Sequence, residues 1–177
     1  MAGRRLLVRR GLAEAEPKRV RRPGAPGERS LRHLLAVSEL YVDLVDQMRR
    51  GGQTACTFKA EPGSWWPNGR RGWLKPDAYV VLERERARDH WWVEVDLATE
   101  SLPTVRGKVQ AYLEFQARGE RSPDDVTPWV LISTMTRPRC DAIRRMVRRL
   151  PGAEELVTVV ESDNAAAHMM QVLREGA

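Results

Sequence analysis

Two hydrophobic periods alternate along the chain. Leu34, Val37, Tyr41, Leu44, Val45 and Met48 recur at helical spacing, which predicts a helix over residues 30–49 with Ser30 as its N-cap and "RGG" as its stop. A short strand follows at "ACTFKAE", then a turn-rich loop, "PGSWWPNGRRGW". "AYVVLE" and "WWVEVDL" have the strand period, and the charged run "ERERARDH" between them predicts a solvated hairpin connection. "TVRGKVQAYLEFQARG" predicts a helix that begins at Pro103 and closes at Gly119. "PWVLIST" carries no charge and predicts a buried strand. A helix over residues 138–150 then turns Ile143, Met146, Val147 and Leu150 inward, and the strand "LVTVVE" and the helix "DNAAAHMMQVLRE" complete the chain. The order αβββαβαβα predicts an α/β fold, a mixed sheet flanked by helices.

At 177 residues and 42% hydrophobic composition, the chain is long enough for one domain with its own core. No apolar run approaches the roughly 20 residues that span a bilayer, and the N-terminus lacks the apolar stretch of a signal peptide. A cytoplasmic protein with no membrane partner is expected. Cys56 and Cys140 lack any zinc or redox spacing and are expected to be reduced thiols. Charge divides the chain unevenly. Residues 1–29 hold nine Lys/Arg against three Glu, while residues 30–177 hold 21 of each sign. The expected organisation is therefore a basic arm over 1–29 and a single domain over 30–177. Such an arm meets phosphate backbones or acidic surfaces, or else is a solvated leader.

Within "WWVEVDL", strand alternation turns Trp92, Glu94 and Asp96 to one face and Trp91, Val93 and Val95 to the other. Glu94 and Asp96 would stand about 7 Å apart, and pairing with "AYVVLE" brings Asp77 beside them. Two or three carboxylates suffice for a hydrated Mg²⁺, which activates water and neutralises charge on a scissile phosphate. The other reading is a polar rim that repels unwanted strand partners. Lys108 and Tyr112, one helical turn apart, share a face of the following helix. There Lys108 orients water or a phosphate oxygen, or only covers the apolar stripe. Arg144, Arg145, Arg148 and Arg149 make a basic face suited to phosphate contact, or to a solvated surface neutralised by nearby Glu. Trp65, Trp66 and Trp73 either stack on unpaired bases or cap the core. His33, His90 and His168 show no metal-ligand spacing, and no P-loop pattern occurs.

Pro76-Asp77 on one strand and Glu94-Val95-Asp96 on the next resemble the restriction-endonuclease-like PD-(D/E)XK nuclease core. "HLLAVSELYVDL", "WLKPDAYVVL" and "WWVEVDLATESLPTVRGKVQAYLEF" are similar to the replication-relaxation family of actinobacterial and plasmid proteins. The combination E-x-D-x-x-T-E with K-x-x-x-Y is the most specific part of that likeness. The resemblance implies a DNA-binding or DNA-processing protein of plasmid replication, relaxation or mobilisation, with DNA and replication or transfer proteins as partners. Carried over by position, Asp77 and Glu94 match metal-binding acids, with Mg²⁺ or Mn²⁺ as cofactor; Asp96 is the further metal ligand expected from the strand spacing. Asp96 stands where the nuclease motif has its lysine, and Lys108 is expected to take over that catalytic role. Tyr112, Arg144, Arg145, Arg148 and Arg149 are the expected substrate contacts. Glu39, the candidate for the acid that such a fold often brings from its first helix, falls opposite the apolar stripe and is expected to face solvent. Family members usually carry a winged helix-turn-helix before this domain, and "RRLLVRRGL" is too short to form one. The alternative is a catalytically silent interaction module on the same fold.

Overall fold

In the computed structural model, which describes residues 27–51, 55–120 and 123–176, five strands form one mixed sheet with helices on both faces. The elements are α1 (Glu28–Gly51), β1 (Ala55–Ala60), β2 (Trp66–Pro67), β3 (Trp73–Leu74), β4 (Ala78–Arg84) and β5 (Ala87–Asp96). They continue with α2 (Leu102–Ala117), a 3₁₀ turn (Pro123–Asp125), β6 (Trp129–Thr134), α3 (Arg137–Val147), α4 (Ala153–Leu156), β7 (Val157–Glu161) and α5 (Ser162–Glu175). The sheet order is β1-β4-β5-β6-β7. β1, β4 and β5 pair antiparallel, whereas β5, β6 and β7 run parallel. Each parallel step crosses over through a helix, as parallel neighbours require.

The alternation along β5 sorts the core into two layers. Trp92 packs with Tyr79, Ile132 and the inner faces of α2 and α3, including Val109, Phe115 and Ile143. Trp91, Val93 and Val95 pack with Leu44 of α1 and Met169 and Leu173 of α5. Both tryptophans are fully buried, so β5 is the central strand covered on both sides.

Several boundaries differ from the sequence reading. Residues 1–26 of the basic arm lie outside the described residues, while Glu28 and Arg29 already belong to α1 and Ser30 sits inside its first turn. Val37, Leu40 and Leu44 form the buried stripe of α1; Leu34 and Tyr41 are exposed. Tyr41 lies over Phe58 at the sheet edge, 5.2 Å between ring centroids. The hairpin between β4 and β5 closes in two residues, Glu85 and Arg86, because Glu85 adopts positive φ (53°) and lets the ladder extend through Arg88 and Asp89. The loop with the three tryptophans holds the small β2–β3 hairpin, in which Trp73 remains 56% exposed. Ser101 caps α2 by accepting from the Thr104 amide, and Gly119 supplies the left-handed residue after it (φ 61°). Cys56 is half-buried and Cys140 buried, both as free thiols. No helix of the described residues is long and apolar enough to cross a membrane.

Candidate functional site

The β4–β5 register sets Ala78 opposite Val93, so the chain just before β4 brings Asp77 alongside Glu94. The Asp77 amide donates to the Val93 carbonyl (2.9 Å), and the Val95 amide donates to Asp77 Oδ2 (2.7 Å). Asp77 is therefore fixed by the sheet itself. Its other oxygen, Oδ1, meets His33 Nε2 of α1 at 3.0 Å. That hydrogen bond, opposed by partial burial, raises the His33 imidazole above its ordinary value.

Glu94 is 6% exposed, and both of its oxygens are engaged. Lys108 Nζ lies 2.9 Å from Oε2, and the Tyr112 hydroxyl donates to Oε1 at 2.6 Å. Burial first, and the neighbouring Asp77 charge second, push the Glu94 carboxyl up to about 7 despite those donors. Lys108 is also 2.9 Å from Glu100 Oε2. Desolvation works against its charge, but Glu94 and Glu100 together hold the ammonium above the usual lysine range. Burial, then Glu94, raises the Tyr112 phenol as well. Asp77, Glu94 and Lys108 thus meet at one end of the sheet.

The raised Glu94 value has a definite consequence for stability. Its folded pKa lies above the unfolded one, so the folded state keeps a proton that the unfolded state loses between pH 4.5 and about 7. This group's contribution is fully present below pH 4.5 and is lost as pH rises through 7. Thermal melts of metal-free wild type and Glu94→Gln across that window are expected to diverge by about 3 kcal/mol, wild type falling more steeply. Parallel curves would contradict the assignment.

Asp96 does not join its neighbours in a single ligand set. Arg139, at the start of α3, holds it in a two-pronged salt bridge, Nε to Oδ1 at 3.0 Å and a terminal nitrogen to Oδ2 at 2.8 Å. The Ala98 amide donates to Oδ1 as well (2.6 Å), and Arg139 reaches the Glu100 carbonyl at 2.7 Å. Among the described residues no three His, Cys, Asp or Glu side chains gather as a metal site of that size requires. The three expected acids therefore do not form one cluster: Asp77 lies beside Glu94, and Asp96 is committed to an arginine.

The expected substrate contacts also separate. Tyr112 is 2% exposed and turned to Glu94, which suits it to holding that carboxylate and not to meeting a substrate. Arg144 donates to the Val159 carbonyl at 2.9 Å, and Arg148 pairs with Glu154 at 3.5 Å. Arg145 on α3 and Arg149 in the turn after it are exposed. Glu39 is exposed on α1 and lines a different groove.

A cleft of about 290 Å³ is lined by His33, Glu61, Asp77, Asp96, Glu100 and Lys108, whereas the buried Glu94 lines a separate small cavity with Lys108 and Tyr112. The cleft shares Arg29, Leu97 and Thr99 with an adjoining open groove of about 610 Å³ along α1. His33, Glu100 and Arg139 are the site residues that sequence reasoning missed. Glu100 closes the E-x-D-x-x-T-E motif and was readable there; the other two come from distant segments.

Among curated proteins, no relative matches the chain. The family model described as replication-relaxation matches residues 1–130, which takes in α1 and the whole Asp77–Glu94–Lys108 site. The chain belongs to the replication-relaxation family.

Proposed function

We propose that the protein acts on DNA in plasmid replication, relaxation or transfer, and that its sheet-end site is a divalent-metal-dependent phosphodiester centre on a restriction-endonuclease-like scaffold. The convergence of Asp77, Glu94 and Lys108 carries this reading. The sequence makes catalysis depend on an amine reaching the acid pair, because Asp96 stands in the place of the motif lysine. Lys108 lies at hydrogen-bond distance from Glu94.

The donor set fits a hard cation. Asp77 and Glu94 offer carboxylate oxygens; burial first and the Asp77 charge second raise the Glu94 carboxyl, and a bound divalent ion would offset both. Asp77 and Glu94 would hold Mg²⁺, with Mn²⁺ able to substitute. The ion, when bound, supplies Lewis-acid stabilisation of phosphate charge and a more acidic water.

The chain's own residues do the positioning. Val95 and His33 aim Asp77, Tyr112 fixes one Glu94 oxygen, and Glu100 holds the Lys108 ammonium at the cleft. From there Lys108 is placed to hydrogen-bond a phosphate oxygen or the attacking water. Tyr112, Val105 and Val109 close the floor against solvent. DNA and replication or transfer proteins are the proposed partners, and the cytoplasm the proposed location.

One observation favours the second reading, a catalytically silent interaction module. Lys108 is clamped between two carboxylates, and Arg139 neutralises the acid that replaces the motif lysine. Incubation of supercoiled, linear and single-stranded DNA with Mg²⁺ or Mn²⁺ separates the two. Cutting that disappears in Asp77→Ala supports the centre; DNA retention without cutting at high protein concentration leaves the silent module.

A further inference from the structure

We propose that the groove between α2 and α3 is a phosphate track for nucleic acid, with Arg106, Arg145 and Arg149 as its contacts. This rests on the DNA reading above but not on catalysis. The groove measures about 340 Å³, with Leu102, Ala142 and Met146 as its apolar floor and the three arginines around it.

The basic residues of this region fall into two groups. Arg137 pairs with Asp141 and Glu161, Arg139 with Asp96, Arg144 with Asp141 and the Val159 carbonyl, and Arg148 with Glu154. These guanidinium groups serve the fold. Arg106, Arg145 and Arg149 are exposed and have no acidic partner among the described residues. Three unneutralised guanidinium groups around one concave strip repel one another unless an anion comes between them, and their planar forks suit phosphate oxygens.

A second feature points to a long ligand. Gly107 stands next to Arg106 in the middle of α2, where glycine costs about 1 kcal/mol relative to alanine. A Cβ there would meet nothing within 4 Å, so packing does not require the glycine. Gly107 does not line the groove itself, but it is exposed and leaves the helix backbone bare beside the groove residue Arg106. The groove also begins at Leu102, two residues after Glu100, which lines the sheet-end cleft. A strand lying on the arginines would therefore continue toward the acidic site.

The test uses the full chain and labelled single-stranded and duplex DNA, read by fluorescence anisotropy in metal-free buffer over a series of salt concentrations. The triple variant Arg106→Ala, Arg145→Ala, Arg149→Ala is compared with Arg50→Ala, Arg137→Ala, Arg148→Ala, which removes the same charge from residues paired with Asp46, Asp141, Glu161 and Glu154. The groove variant is expected to bind at least tenfold more weakly. Its salt slope should fall by about 2 to 3, since each phosphate contact contributes roughly 0.7 to 0.9. The control variant should stay within about threefold of wild type. Equal weakening of both variants, or no weakening of the groove variant, overturns the track while leaving the metal centre standing. Absence of wild-type DNA binding, or tighter groove-dependent binding of poly-glutamate than of DNA, overturns it too. Loss of cleavage with the groove effect intact would instead count against the catalytic reading alone.

Discussion

Asp77→Asn and Lys108→Met are each expected to slow divalent-metal-dependent DNA cleavage by about 10²–10³-fold, the usual cost of removing one preorganised group from a reacting centre. The two variants should fail for different reasons. Asp77→Asn keeps an acceptor for the Val95 amide, so the strand end survives, but the site loses one of its two negative charges. Lys108→Met keeps the apolar stem and removes the ammonium hydrogen-bonded to Glu94. Without it the Glu94 carboxyl rises further above about 7 and is largely protonated at neutral pH. The Lys108→Met loss should therefore ease at higher pH, where Glu94 ionises, while the Asp77→Asn loss should not. DNA affinity in metal-free buffer is expected to change little in either protein. A Lys108→Met protein that cuts at the wild-type rate would remove the amine from the chemistry.

Arg139→Ala is expected to cost about 3–5 kcal/mol of folding stability, because it strands Asp96 as an unpaired charge inside the protein. The Asp96 side chain is 5% exposed and Arg139 15%, so water cannot replace the lost partner readily. The same arginine ties the end of β5 to the start of α3 and to the Glu100 carbonyl. Its loss should also loosen Glu100, and with it the second clamp on Lys108. Adding Asp96→Asn to Arg139→Ala is expected to recover part of the stability, since the stranded charge disappears. Chemical denaturation of the two single variants and the double variant measures this directly. Additive losses, or an Arg139→Ala cost below about 1 kcal/mol, would show that the pair is not the buried lock described here.

Local signals were readable and long-range pairings were not. The period-2 alternation of "WWVEVDL" carried the two-faced central strand, and the position of Asp77 just before the partner strand carried its approach to Glu94. Lys108 and Tyr112 were readable from helical spacing, though only the fold shows both donating to the same carboxylate. His33 could not be found this way: it lies 44 positions before Asp77, on a helix whose buried stripe is Val37, Leu40 and Leu44. Arg139 was visible as one basic residue among several, and nothing local marks it as the partner of an acid 43 positions earlier. The two-residue turn at Glu85 and Arg86 was hidden for another reason. It contains none of the Asn or Gly residues that normally announce such a turn, and a glutamate takes the left-handed position.

The central claim is that Asp77 and Glu94 form one divalent-ion site beside Lys108. Calorimetric titration of Mn²⁺ into wild type and Glu94→Gln at pH 6, in two buffers of different protonation heat, tests it most directly. One ion per wild-type chain is predicted, with proton release as the Glu94 carboxyl ionises, and Glu94→Gln should lose both the ion and the proton. A wild-type protein that takes up no ion, or a Glu94→Gln protein that binds it undiminished, would contradict the account.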